Sequence, residues 1–399
     1  MKLLRSKAIM STLVRAVKKP KISEELLESF SKIPDKRINR QKLHPLKNIL
    51  IIAVCAILCG ADSWLAIEKI GKSKLQWFRK FLWLPHGIPS HDTFARIFVW
   101  LDPIALQQCF VEWASELRDL VDQEIIAIDG KTQRRSFDAA SKKPAIHMVT
   151  AFACESGIAL GMKKVASKSN EIIAIPEVLN LVDIKNSIVT IDAIGCQKNI
   201  AEEIREKDAD YILALKKNQP NLYLQVVMLL HEARKVHQLR DHIKFYETEN
   251  LGHGRREIRR YWITNQIESL QGKNDWKDLK SVGCVESTRI INGKESIEMR
   301  YFIASIEPIV TLFAKGVRSH WKIENSYHWR LDVIFRADDN RMRLGHSPEN
   351  FSVLQAFALN LLKRETSSKD SLRIKRHMCA NNEKYLQKVL FKWRRDFSA

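Results

Sequence analysis

At residue 124 the spacing of apolar residues changes from helical to strand-like, which limits the chain to folds that join a helical block to a sheet. Upstream, from Leu46 to about Leu120, HPLKNILIIAVCAILCG, SWLAIEKIGKSKLQWFRKFL and IPSHDTFARIFVWL all carry helical spacing. Downstream, EIIAIDGKT is a short β-type run that stops at Asp-Gly. AIHMVTAFAC (145–154) and GIALGMKKVA (157–166) follow across Glu-Ser and Gly157, the pattern of a hairpin. KSNEIIAIPEVLNLV (168–182) returns to helical spacing, with Ser169 or Asn170 as candidate cap. SIVTIDAIG (187–195) is a β-branched strand, QKNIAEEIREKD an amphipathic helix, and DYILALKKNQP (210–220) a strand ended by Asn-Gln-Pro. Three meandering strands, then helix, strand, helix, strand predict an α/β fold: a mixed sheet with helices packed on it.

The remaining boundaries follow from further changes of pattern. NLYLQVVMLLHEARKV is helical, and the charged β-type block after it, about 240–308, reads as a β-rich insertion. Within that block Asn292-Gly293 marks a two-residue hairpin. From Ile309 the chain is helical again, through SHWKIENSYHWRLDV and PENFSVLQAFALNLLKRE. The expected organisation is a basic arm (1–23), an N-terminal all-α domain (24–120) that starts with a short helix near Glu24–Lys32, and a core in two parts (121–239 and 309–365) split by the insertion. A basic, partly helical tail (366–399) closes the chain. Ser90 is a candidate N-cap, and the short helices around it suit either a helix-turn-helix DNA reader, with Ser90 and His91 at the DNA, or a packing scaffold.

Lys and Arg outnumber Asp and Glu by 66 to 46, a formal charge of +20 over 399 residues. Such an excess favours a polyanionic partner, nucleic acid before an anionic membrane surface. MKLLRSKAIMSTLVRAVKKPK breaks its apolar residues with Arg and Lys too often for a signal peptide. ILIIAVCAILCG falls short of the roughly twenty residues that span a bilayer, so no membrane partner is expected. Seven scattered cysteines without a CxxC pair suit reduced thiols in a cytoplasm and exclude a zinc ribbon or disulfide framework. No GxxxxGK[ST] occurs, so no nucleotide cofactor is expected.

Asp129 and Asp192 each follow Ile at the end of a predicted strand (AIDG, TIDA), and carboxyl ends of strands collect catalytic side chains in α/β sheets. Either aspartate alone suits a turn cap. Glu324, midway between His320 and His328 in a Trp- and Ile-rich helix, is expected to be enclosed and so to need a cation, a hydrogen bond or a metal. Two strand-end aspartates and a helix-borne glutamate suit two Mg²⁺ or Mn²⁺ ions at a phosphoryl-transfer site. A zinc site of His320, Glu324, His328 and Asp332 is the alternative, and it leaves the aspartate pair unexplained.

From about residue 24 to residue 365 the chain resembles the DDE transposases of bacterial insertion sequences, in the ISAs-type branch that includes the H-repeat-associated proteins. The resemblance rests on HPLKNILIIAVCAILCGADSW, LPHGIPSHDTFARIF, IAIDGKTQRRS, KSNEIIAIPEVL, VTIDAIGCQKNIAEEI, YILALKKNQPNLY and HWKIENSYHWRLDVIF, in that order. It implies an RNase H-like core with a separate helical N-terminal domain, and a triad of Asp129, Asp192 and Glu324. It also implies cleavage of the element's ends and transfer of the 3′-hydroxyl strand into target DNA, with double-stranded DNA as partner and a homo-oligomer in a synaptic complex. Two departures stand out. A broader group of relatives carries Tyr, Arg and Lys at −7, −4 and +7 from the Glu, where this chain has Val317, His320 and Leu331; Ala337-Asp338 replaces a Glu-Asp pair.

Further candidates surround the triad. His320, His328 or Asn325 would orient Glu324 or bind phosphate, and Lys131 would hold the backbone near the cut. Trp321 and Trp329 read as core residues, with stacking on an unpaired base near the cut as the alternative. Arg134 and Arg135 follow the Asp129 strand, where a solvated basic loop is the alternative, and Lys216 and Lys217 end the DYILAL strand. Strand alternation sets Arg256 and Arg260 on one face of the insertion and Arg255 and Arg259 on the other, all suited to phosphates. The competing functions are a non-catalytic DNA-binding remnant and an RNase H-like nuclease without strand transfer.

Overall fold

The structure, a computed structural model, describes residues 24–38, 42–118, 123–137, 144–165, 171–235, 242–252 and 254–391. The basic arm 1–23, the candidate caps Ser169 and Asn170, and 392–399 of the basic tail lie outside these residues.

The first six helices are α1 (Glu24–Ser31), α2 (Leu46–Leu58), α3 (Trp64–Ser73), α4 (Leu75–Phe78), α5 (His91–Trp100) and α6 (Pro103–Leu117). The core helices are α7 (Glu171–Leu181), α8 (Lys198–Glu206), α9 (Pro220–Lys235), α10 (Val310–His320) and α11 (Trp329–Val333). They are followed by α12 (Ser347–Arg364), α13 (Leu372–Asn381) and α14 (Glu383–Phe391). Side chains of Ser63, Ser90 and Asp102 accept amides of the first turns of α3, α5 and α6, so the Ser90 cap forms as expected. No single described helix is long and apolar enough to cross a membrane. The apolar run in α2 is instead buried nearly all round.

α12 joins the helical block to the sheet. Phe357 packs against Phe30, Phe110 and Trp113. Asn350 donates to the carbonyls of Phe98 and Leu101, and Asn360 exchanges both hydrogen bonds with the backbone of Ala159. All seven cysteines are free and buried.

Among the described residues nine strands form one sheet: β1 (Ile125–Thr132), β2 (His147–Ala153), β3 (Ile158–Val165), β4 (Ile188–Ile191), β5 (Asp210–Leu215), β6 (Lys244–Gly252), β7 (Arg255–Thr264), β8 (Ser281–Ile291) and β9 (Lys294–Ala304). Their order is β3-β2-β1-β4-β5-β9-β8-β7-β6. β1 to β3 form an antiparallel meander, and β4 and β5 add parallel to β1. With helices packed on it, this is the RNase H-like α/β arrangement. β9 pairs antiparallel with β5, so the inserted strands continue the core sheet. Asn292 and Gly293 both take positive φ, +51° and +75°, and close the β8–β9 hairpin as the sequence pattern requires.

Two sequence expectations fail here. β1 does not stop at Asp129-Gly130 but runs on to Thr132, because antiparallel pairing with β2 continues after its parallel neighbour β4 has ended at Ile191. His320, Glu324 and His328 do not share one regular α-helix either. α10 ends at His320 and the chain widens into a π-helical turn at Glu324–His328 before α11.

Candidate active site

Parallel pairing sets Ile128 of β1 opposite Ile191 of β4, so the next residues, Asp129 and Asp192, stand side by side where β4 ends. Their direction follows from alternation. Thr190 hydroxyl meets Nδ1 of His320 at 3.1 Å, which places Thr190 and Asp192 on the α10 face of the sheet. Ala127 is level with Thr190, so Asp129, two residues on, points to the same face. Asp129 is half-buried and Asp192 exposed, with an Asp192 oxygen accepting the Ile194 amide at 3.1 Å.

The third carboxylate arrives on the π-helical turn. Ile323, Tyr327 and Leu331 are buried, and Tyr327 packs on Phe152 of β2. That apolar stripe docks the segment on the sheet and leaves Glu324 at the rim. Glu324 is therefore exposed, not enclosed as its surroundings in sequence suggest. Trp321 is half-buried and Trp329 is 56% exposed, so Trp329 is not a core residue.

The three carboxylates feel one another. Burial, followed by the charges of Asp192, Glu324 and Glu171, pushes the Asp129 carboxyl up to about 7. Partial burial also raises Asp192, with Glu171 adding to it and Lys216 opposing. Glu324, exposed at the rim but partly shielded at its carboxyl, is raised by that partial desolvation and by Asp192, against the pull of Arg300.

The neighbouring candidates take distinct places. His328 is buried with Nδ1 3.5 Å from Asp129 Oδ2, and burial pushes it down to about 3, so it is neutral there. Burial likewise lowers His320 to about 4. Lys131 lies 2.6 Å from Asp332 Oδ2 and 3.6 Å from Asp338, an ion-pair arrangement between β1 and the segment that follows α10. Asn325 donates from its side chain to the Trp321 carbonyl at 3.1 Å. Lys216 and Lys217 are exposed just beyond β5. Arg134 and Arg135 lie 3.5 and 3.2 Å from Asp338 and Asp339.

The other basic candidates are away from the carboxylates. Ser90 caps α5, and the His91 amide and ring Nδ1 both meet Glu68 Oε2, at 2.8 and 2.7 Å. On β7 the alternation is as read. Arg256 pairs with Glu249, Arg260 with Glu247 and Glu286, and Arg259 is buried against Glu257. Arg255 is exposed and, among the described residues, has no ion pair.

Sequence reasoning missed Glu171 and His147. A Cβ on Gly130 would come within 2.3 Å of His147 Nε2 and 2.6 Å of Glu171 Oε1, so this pair lies directly behind the Asp129 strand on the opposite face. His147 Nε2 is 2.7 Å from Glu171 Oε1, and its Nδ1 shares a hydrogen bond with the Thr132 hydroxyl. Glu171, standing in KSNEIIAIP on the buried side of α7, was the available signal.

Among the described residues, no three His, Cys, Asp or Glu side chains are gathered closely enough to hold a metal ion as they stand. The donor chemistry nonetheless fits a hard divalent cation. All three are oxygen donors, each carboxyl is raised, and two raise the third, so the site lacks positive charge.

Residues 27–114 match the family described as DDE_Tnp_1-associated, and residues 120–361 match the family described as Transposase DDE domain. The putative transposase YncI of Escherichia coli O157:H7 is 41% identical over 373 residues, covering 92% of this chain and 94% of that one. The H repeat-associated putative transposase YhhI of Escherichia coli strain K12 is 37% identical over 373 residues, covering 92% and 98%. A solved piggyBac transposase synaptic complex with hairpin DNA is 9% identical, with a TM-score of 0.41 over 93% of this chain and 76% of that one.

Proposed function

This chain belongs to the transposase DDE-domain family, in its bacterial H-repeat-associated branch, and we propose that it cuts DNA at the ends of its own insertion element and joins the freed 3′-hydroxyl to target DNA. What supports this reading is that parallel pairing sets Asp129 beside Asp192 where β4 ends, and that the charges of Asp192 and Glu324 both bear on Asp129.

DDE transposase domains use divalent metal ions, and here Asp129, Asp192 and Glu324 would hold two Mg²⁺ or Mn²⁺ through carboxylate oxygens. When bound, such ions would lower the pKa of an attacking water or 3′-hydroxyl and would stabilise the leaving oxygen. The chain's own side chains orient these groups. His328, neutral and buried, fixes the rotamer of Asp129 from 3.5 Å. Lys131, tied to Asp332 and Asp338, pins the end of β1 to the catalytic helix. The exposed carboxylates of Asp192 and Glu324 let a duplex approach, while Lys216, Lys217, Arg134, Arg135 and Arg255 offer positive charge to its backbone. Pairing two element ends requires at least two protomers, so the working form is a homo-oligomer on DNA in the cytoplasm.

The test is a Mg²⁺-dependent cleavage and strand-transfer assay on duplexes carrying the element ends, with Asp192→Asn alongside. Cleaved and joined products from the parent chain and none from the variant support the reading. Equal products from both overturn the site, and binding without product in either metal favours a non-catalytic remnant.

A further inference from the structure

We propose that Arg300, on the inserted strand β9, grips a phosphate of the DNA strand held at the three carboxylates. The sheet brings it there although the sequence does not. The order β1-β4-β5-β9 is continuous across the carboxylate edge. Leu215 of β5 pairs with Tyr301 of β9, so the next pair outward is Lys216 with Arg300. The facing is fixed as well. Phe302 packs on Phe313 of α10, so Phe302 and, by alternation, Arg300 lie on the α10 face, with Asp129 and Asp192.

The side chain is held in one attitude. Nε and one terminal nitrogen form a fork with Glu298 at 2.8 and 2.9 Å. The guanidinium carbon lies 4.8 Å from the centre of the Trp321 ring, one helical turn before Glu324. An ordinary surface ion pair explains the fork but not the aromatic ring beneath it. Among the described residues Nη1 makes no hydrogen bond, and the side chain is 34% exposed. A planar guanidinium with free N–H groups, oriented by a carboxylate and a ring, suits the oxygens of a phosphodiester. His320, one turn before Glu324, is buried and bound to Thr190, so it supplies no cation beside the carboxylates.

The inference rests on the catalytic reading of Asp129, Asp192 and Glu324, and the test separates the two. The probe is a duplex of about 50 base pairs, long enough to cover many phosphate contacts, copied from the DNA that borders the coding region. Binding is measured over a range of KCl concentrations with Ca²⁺, and cleavage with Mg²⁺, for the parent chain, Arg300→Ala, Arg300→Lys, Glu298→Gln and Asp192→Asn. Arg300→Ala is expected to cut about 10²-fold more slowly, as when one oriented donor is lost. Its salt slope should fall by about 0.9, the value of one phosphate contact. Arg300→Lys keeps the slope and loses most of the rate, and Glu298→Gln keeps the slope and changes the rate less than Arg300→Ala. Parent-like rate and slope in Arg300→Ala beside an inactive Asp192→Asn overturn Arg300 alone. A Glu298→Gln as impaired as Arg300→Ala makes the pair structural and also overturns it. An active Asp192→Asn removes the triad reading, and Arg300 then stands or falls on the salt slope.

Discussion

His328 holds Nδ1 3.5 Å from Oδ2 of Asp129. Burial keeps the imidazole neutral well below physiological pH, so the ring flanks the carboxylate without neutralising it. The Nε2 atom is buried without a hydrogen bond, so the ring is positioned by its packing. His328→Ala should therefore leave the fold intact and weaken divalent-ion binding roughly 10–100-fold, the usual loss when a group orienting a ligand is removed. Titration with Mn²⁺ followed by calorimetry checks this; unchanged affinity would show that Asp129 needs no such support.

The raised carboxyl of Asp129 makes a signed prediction for pH. Its folded value of about 7 lies above the ordinary 3.8, so between these values the folded state binds more protons than the unfolded state. Stability from this group thus falls as pH rises from about 4 to about 7 and stays reduced above. His320 and His328 act oppositely below pH 6.5, because their folded values are depressed and the unfolded chain takes up the protons. The difference between the parent chain and Asp129→Asn isolates the aspartate. In EDTA, Asp129→Asn should gain on the parent from pH 5 to pH 8 by no more than about 3 kcal/mol, the weight of the two units from pH 5 to the folded value of about 7. Mg²⁺ should restore the parent at pH 8 and leave the variant unmoved. Thermal melts across that range decide it, and parallel curves would remove the buried-carboxylate account.

Gly130 sits where β1 crosses the His147–Glu171 pair. An added methyl would meet both partners well inside contact distance, at 2.3 and 2.6 Å. Gly130→Ala should cost about 1–3 kcal/mol, the range for forcing extra volume into a packed site. It should also displace the adjacent Asp129 and lower cleavage. Adding His147→Ala opens the space and should recover part of the stability, measured by urea unfolding. A double variant no more stable than Gly130→Ala would place the strain elsewhere.

How much of this was legible depended on whether the cause was local. The β-branched run before Asp192 and the Ile-rich run before Asp129 form strands by their own side-chain preferences, and Asn292-Gly293 needs only its own two positive φ angles. Glu324 was found through its neighbours in sequence, but its exposure was not, because a π-helical turn rotates the face that regular helical spacing assigns. The same rotation puts Trp329 outside the core. His147 and Arg300 come to the site only through sheet pairing between distant segments, and Glu171 only because α7 packs on β2 and β3, so no local pattern encodes their places.

The arginines of HGRREIRRYW part company in the fold, and two of them make opposite predictions. Arg259 is buried at 2.5 Å from Glu257, which also has Arg289 at 3.4 Å. Removing Arg259 leaves that buried carboxylate with a weaker partner, so Arg259→Ala should cost about 1–3 kcal/mol of stability. Arg255 is exposed at the start of β7. Arg255→Ala should leave unfolding unchanged and lower the salt slope of DNA binding by about 0.9 if it touches a phosphate. Urea unfolding and KCl-dependent binding on both variants separate the roles. An unstable Arg255→Ala, or an Arg259→Ala altered only in DNA binding, would reverse the assignment that strand alternation gives to β7.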